Sequence, residues 1–134
     1  MANLVMREKD VKGEVVLTAL GGEKEAKVEA IFNTGSSYNI ISKELAEKLD
    51  CFIPHSEKLE LKTAEEGGKL RIVGFCPVKV EFEGVKVYEL FLVAENLAKE
   101  TELILGRPAL DHLDIVFTPK GPKPGKEAGK LVVL

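Results

Sequence analysis

The stretch PVKVEFEGVKVYELFLV, residues 77–93, constrains the fold more than any other part of the chain. Val78, Val80 and Phe82 alternate with Lys79, Glu81 and Glu83, which is the period of a strand with one buried face. Glu83-Gly84 supplies a two-residue hairpin turn before Val85 and Val87 resume the alternation. The same texture recurs upstream. GEVVLTALGG, residues 13–22, is an apolar run closed by two glycines. In KEAKVEAIF, residues 24–32, Val28, Ala30 and Phe32 share one face and Lys27 and Glu29 the other. In SEKLELKTA, residues 56–64, Leu59 and Leu61 stand opposite Lys58, Glu60 and Lys62. TELILG, residues 101–106, is a short buried strand stopped by Gly106. Many short strands with few helices predict an all-β, closed-barrel domain.

Two short helices interrupt this pattern. Ser42 is placed to cap SKELAEKLD, whose apolar face is Ile41, Leu45 and Leu49. RPALDHLD puts Pro108 at its first helical position, where a missing N–H costs nothing. Residues 118–129 are rich in Pro, Gly and Lys and read as a mobile loop. Residues 130–134, KLVVL, return to strand character and need a partner, because a free apolar edge invites pairing with another chain. No repeat or internal boundary divides the 134 residues, so the expectation is one domain over 1–134.

The totals exclude several classes. A net charge of −3 offers no field for nucleic acid or an anionic membrane, and 6% aromatics without Trp make no base-stacking platform. No apolar run is long enough to cross a bilayer, and MANLVMREKD lacks the apolar centre of a signal peptide, so a cytoplasmic location is expected. In that compartment Cys51 and Cys76 are expected as two small buried hydrophobes. His55 and His112 have no Cys or His at ligand spacing, so neither a metal nor another cofactor is expected. Gln is absent while Lys and Glu dominate the charges, a composition that leans toward a thermophile.

Three segments carry the chemistry. Asn33-Thr34-Gly35 follows an apolar strand and precedes Ser36, Ser37 and a second apolar stretch. A polar hairpin over residues 63–75 has Ala64, Glu65, Glu66, Gly67 and Gly68 at its tip. LILGRPAL joins an apolar strand to a helix through Gly106. In this order, over residues 13–117, they resemble the retropepsin-like aspartic proteases, the retroviral-type family.

The resemblance implies a retropepsin-like closed β-barrel with a flap hairpin and one or two short helices. It implies an endopeptidase in which two aspartates hold one water and act as base and acid on a peptide carbonyl. Thr34 takes the place of the threonine whose hydroxyl bonds across to the partner turn, and Gly35 that of the turn glycine. Ser36 matches a serine that hydrogen-bonds the carboxylate in acid-active members. Ser36, Ser37 and the hairpin tip, Ala64 to Gly68, would touch substrate. Leu105-Gly106 matches the pair packed beneath the turn. Arg107 matches an arginine whose acidic partner position is here Ser37. Only one such triplet exists, so the resemblance implies a C2 homodimer. Its partners would be a second copy and an extended peptide or unfolded protein. Residues 1–5 and 130–134 would interleave at the interface.

Asn33 stands where the family has its catalytic aspartate. An amide does not titrate, so the chain as written is expected to be catalytically dead. Two origins stay open. One is an engineered substitution that silences the enzyme, favoured by the intact residues around it. The other is a natural pseudoprotease that serves as a homodimeric peptide-binding or structural module.

Overall fold

The computed structural model describes residues 11–63 and 67–125. Nine strands and two helices follow in the order β1 (Val11–Ala19), β2 (Glu25–Phe32), β3 (Ile40–Ser42), α1 (Lys43–Lys48), β4 (Ile53–Lys62), β5 (Lys69–Phe82), β6 (Val85–Ala94), β7 (Leu103–Leu105), α2 (Arg107–His112), β8 (Ile115–Thr118) and β9 (Gly121–Pro124). Six strands close into a barrel in the order β1-β2-β7-β3-β6-β5, because β5 also pairs back onto β1. The barrel is mixed. The β2–β7 and β3–β6 pairs are parallel and the rest antiparallel. Strand β4 lies outside the closed ring on the edge of β5.

Alternation builds the barrel as the sequence predicts. Val78, Val80 and Phe82 of β5 are buried with Val28, Ala30 and Phe32 of β2, and the Phe32 and Phe82 rings meet edge to face at 5.1 Å. Glu83 and Gly84 both take positive φ, 48° and 87°, so the β5–β6 hairpin turns in two residues with the twist that strands prefer. Strand β4 departs from the expectation. It is covered only in part: Leu61 packs against the cluster of Ile40, Ile72 and Ala94, whereas Leu59 remains 43% exposed.

Both helices seal the barrel. Ser42 Oγ accepts the Leu45 N–H at 3.1 Å, and Leu45, Ala46 and Leu49 are buried. Asp50 ends that helix in the left-handed region. In α2 Gly106 is the N-cap and Arg107 the first helical residue, so Pro108 sits second, one place later than expected and equally free of an obligatory N–H bond.

Two expectations are corrected. The stretch expected as a mobile loop is, over its first part, a hairpin. Ile115–Thr118 pairs with Gly121–Pro124, and Thr118 Oγ1 bonds the Gly121 carbonyl at 2.7 Å across the turn. Residues 1–10 and 126–134, including the expected interface segments, lie outside the described residues. Cys51 and Cys76 are not separate thiols but a disulfide. The chain leaving α1 passes beside β5, which brings the two Cα atoms to 5.1 Å. The bridge closes a 25-residue separation and ties α1 to the strand that continues into the flap-like hairpin. Reduction is expected to cost about 2–4 kcal/mol, a fall on the order of 10 °C in Tm. Melting curves with and without a strong reductant test this, and coincident curves would refute it.

Candidate functional site

The site begins where β2 runs out. Ile31 and Phe32 pair with Ile104 and Leu105 of β7, and Asn33 N–H continues the ladder to the Leu105 carbonyl at 2.9 Å. The chain then turns. Ser36 N–H donates to the Asn33 carbonyl at 3.1 Å, and Gly35 N–H to Asn33 Oδ1 at 2.8 Å. A side chain at 35 would begin 3.2 Å from that same oxygen, tight enough to disturb the bond. The side chain of residue 33 is thus oriented by a backbone donor at an exposed turn, a geometry open equally to Asn and Asp. Among the described residues the Thr34 hydroxyl has no hydrogen-bond partner, and Thr34 and Ser37 are exposed.

Ser36 departs from the family role. Its hydroxyl donates to the Tyr38 carbonyl at 2.7 Å and accepts the Tyr38 N–H at 3.3 Å. It makes no bond to Asn33, whose Oδ1 is already served by Gly35. Arg107 contributes through its backbone, its N–H donating to the Ser36 carbonyl at 2.8 Å. Its guanidinium lies 3.9 Å from Asp111 in the same helix, both side chains largely exposed, so this pair is worth little.

Leu105 is buried, and Gly106 lies hard against the turn. A Cβ at 106 would fall 2.8 Å from the Ser36 carbonyl oxygen and closer still to that of Tyr38. Residues missed at the sequence level complete this clamp. Asn39 is buried, and its Oδ1 accepts both the Gly106 N–H at 3.0 Å and the Ala109 N–H at 3.3 Å. It therefore caps α2 from outside, where Gly106 has no side chain to do so. Asn39 Nδ2 donates to Glu89 Oε1 at 3.2 Å, and the other Glu89 oxygen meets His112 Nδ1. A signal for Glu89 did exist, since it falls on the inward parity of Val87 and Phe91.

Between this turn and the β4–β5 hairpin lies a cleft of about 580 Å³. Asn33, Gly35, Ser36, Ser37, Tyr38 and Ile40 form its floor, with Ile104 beside them. Leu61, Lys62, Thr63 and Leu70 come from the hairpin. Its size and mixed lining suit a ligand site. Thr63 N–H donates to the Gly68 carbonyl at 3.0 Å, and Gly67 has a φ of 75°. Gly67 and Gly68 do not line the cleft, and Ala64, Glu65 and Glu66 lie outside the described residues.

A closed mixed barrel with such a turn, a hairpin facing it and a strand–Gly–helix beneath it defines the retropepsin-like fold. Solved structures agree. EIAV protease complexed with the inhibitor HBY-793 matches with a TM-score of 0.56 and 19% identity over 80% of this chain and 90% of that one. The retroviral protease-like domain of Ddi1 from Leishmania major matches with a TM-score of 0.57 and 21% identity over 83% and 82%. No protein-family model matches the sequence, and no curated protein does.

Proposed function

We propose that the chain has the architecture of a retroviral-type aspartic endopeptidase, works as a C2 homodimer, and is inactive as written because Asn33 replaces the catalytic aspartate. The observation that carries this reading is the Asn33-Thr34-Gly35 turn on the floor of a cleft that the β4–β5 hairpin faces. One chain supplies one residue of a two-residue site, so the proposal requires a second copy. Thr34, whose hydroxyl has no partner within the described residues, is available to bond across the axis. Asn33 would also remove the repulsion of two carboxylates there. Extended peptides would bind in the cleft through backbone contacts that do not need the carboxylates.

Among the described residues no helix is long and apolar enough to cross a membrane. A cytoplasmic location is proposed together with a thermophilic source, since intracellular disulfides are a habit of hyperthermophiles. The second reading, a natural peptide-binding pseudoprotease, shares the dimer and the cleft and differs only in the origin of Asn33.

The dimer is tested by sedimentation velocity. A species of two chains is expected at micromolar concentration, with an interface of about 2,000 Å² or more. Monomer alone at that concentration would remove the basis for a shared site.

A further inference from the structure

Among the described residues the buried polar side chains are Asn39, Ser42 and Glu89. Ser42 caps α1, and the other two bond each other. The Asn39 amide has only one satisfactory orientation. Its Oδ1 accepts from the Gly106 and Ala109 N–H groups, which can only donate. Its Nδ2 donates to Glu89 Oε1 at 3.2 Å and to the Leu90 carbonyl at 3.4 Å, and a carboxylate or a carbonyl can only accept. The second Glu89 oxygen meets Nδ1 of His112, whose side chain is 65% exposed. A buried carboxyl group thus has a partner at each oxygen and, through one amide, a grip on the start of α2.

What Asn39 holds is the middle of a three-residue support. The Leu105 carbonyl accepts the Asn33 N–H at 2.9 Å, and the Arg107 N–H donates to the Ser36 carbonyl at 2.8 Å. Gly106 lies between them with its own N–H on Asn39. Both ends of the turn are therefore bonded to the neighbours of the residue that Asn39 fixes.

We propose that Glu89 is a positioning residue for the turn that carries residue 33. It lies outside the cleft lining and acts through Asn39, whose amide orientation it selects. The effect on the turn stands on this geometry alone, and the effect on catalysis rests on the endopeptidase reading above. Glu89→Met leaves Asn39 Nδ2 with only the longer bond to Leu90, so the amide can rotate away from Gly106 and Ala109. Glu89→Gln keeps an oxygen for Nδ2 and should be tolerated. Asn39→Asp keeps an acceptor for the two N–H groups but sets oxygen against oxygen at Glu89. Glu89→Gln in the same chain then supplies the missing donor.

Amide hydrogen exchange, read residue by residue by NMR on the chain as it stands, tests this. Glu89→Met is expected to speed exchange at Gly106, Arg107 and Ala109 by about 10-fold or more and to shift the Gly35 and Ser36 amide resonances. The β1–β5 ladder should keep its protection, and Glu89→Gln should stay near the parent. Asn39→Asp should loosen the same amides, and adding Glu89→Gln should recover most of the loss. Should Glu89→Met not fold, the Asn39→Asp pair decides. Unchanged exchange in Glu89→Met, a ladder that loosens as much as the clamp, or no recovery in the double variant each overturns the proposal. In an Asn33→Asp background Glu89→Met should lower kcat with little change in KM, and Glu89→Gln should not; equal kcat in the two also overturns it. An Asn33→Asp parent without activity removes the endopeptidase reading and leaves the exchange result to decide the role of Glu89.

Discussion

Asn33→Asp is expected to turn this protein into an endopeptidase with an acidic optimum. The change alters one atom group in each subunit and both halves of the proposed site at once. Positioned acid–base catalysis contributes about 10²–10⁴-fold, so activity should rise from background by at least that factor. The turn is already arranged for a carboxylate, since Gly35 N–H donates to Asn33 Oδ1 at 2.8 Å and would donate equally to Asp. A donor to the charged form favours ionisation of one carboxyl, and its close twin then keeps the shared proton, the general behaviour of aspartic-protease dyads. Such a dyad works with one proton. Above the higher of its two apparent pKa values that proton leaves and activity falls. Below the lower one both carboxyls are neutral, the base is lost, and activity falls again. The acidic optimum therefore rests on the dyad and the Gly35 donor, because the Ser36 hydroxyl is turned to Tyr38. Both forms should be assayed on a denatured protein from pH 3 to 8, with and without pepstatin, a statine-type mimic of the transition state. An Asp form that is folded and dimeric yet cuts nothing in that range would sink the protease reading. A natural binding module would then be the better account.

What was legible in the sequence was the barrel and the turn. Strand alternation is a local signal, and in β2 and β5 it named the buried residues because those strands have a core on one side only, whereas in β6 Val85 and Val87 are only half-buried and the buried residues lie further along, at Glu89, Phe91 and Val93. Leu59 misled for the same reason, since the pattern says which residues share a face but not whether anything covers it. The turn could be read because Asn33, Thr34 and Gly35 are adjacent. The clamp beneath it could not, because Asn39, Glu89 and Gly106 meet only when β3, β6 and β7 lie side by side. Cys51 and Cys76 were misjudged because composition suggested a compartment, whereas pairing depends on where the chain leaves α1. Ser36 was read by its match to a family serine, and the nearer Tyr38 backbone claimed its hydroxyl instead.

Gly106→Ala is expected to be the most destabilising single-methyl change in the site. The backbone at 106 is extended, with φ −94° and ψ −168°, so alanine meets no conformational strain there. The cost is steric. The new Cβ would lie 2.8 Å from the Ser36 carbonyl oxygen and closer to that of Tyr38, both backbone atoms that cannot rotate away. Making room means pushing the turn off β7. That stretches the Arg107 N–H bond to Ser36, now 2.8 Å, and the Gly106 N–H bond to Asn39, now 3.0 Å. Asn39 is buried, so an N–H or amide left unpaired around it adds about 1–3 kcal/mol to an overpacking cost of similar size. A loss of about 3 kcal/mol or more follows, or roughly 10 °C in Tm. Gly22→Ala is the control. Its Cβ would make only an ordinary 3.5 Å contact with the Ala19 Cβ, and it should stay within about 0.5 kcal/mol of the parent. Urea unfolding of the three proteins measures the difference. In an Asn33→Asp background the displaced turn should also lower kcat in protein that remains folded. If Gly106→Ala unfolds with the parent, the turn is not held by β7 and α2 as described, and the pre-set geometry assumed for residue 33 goes with it.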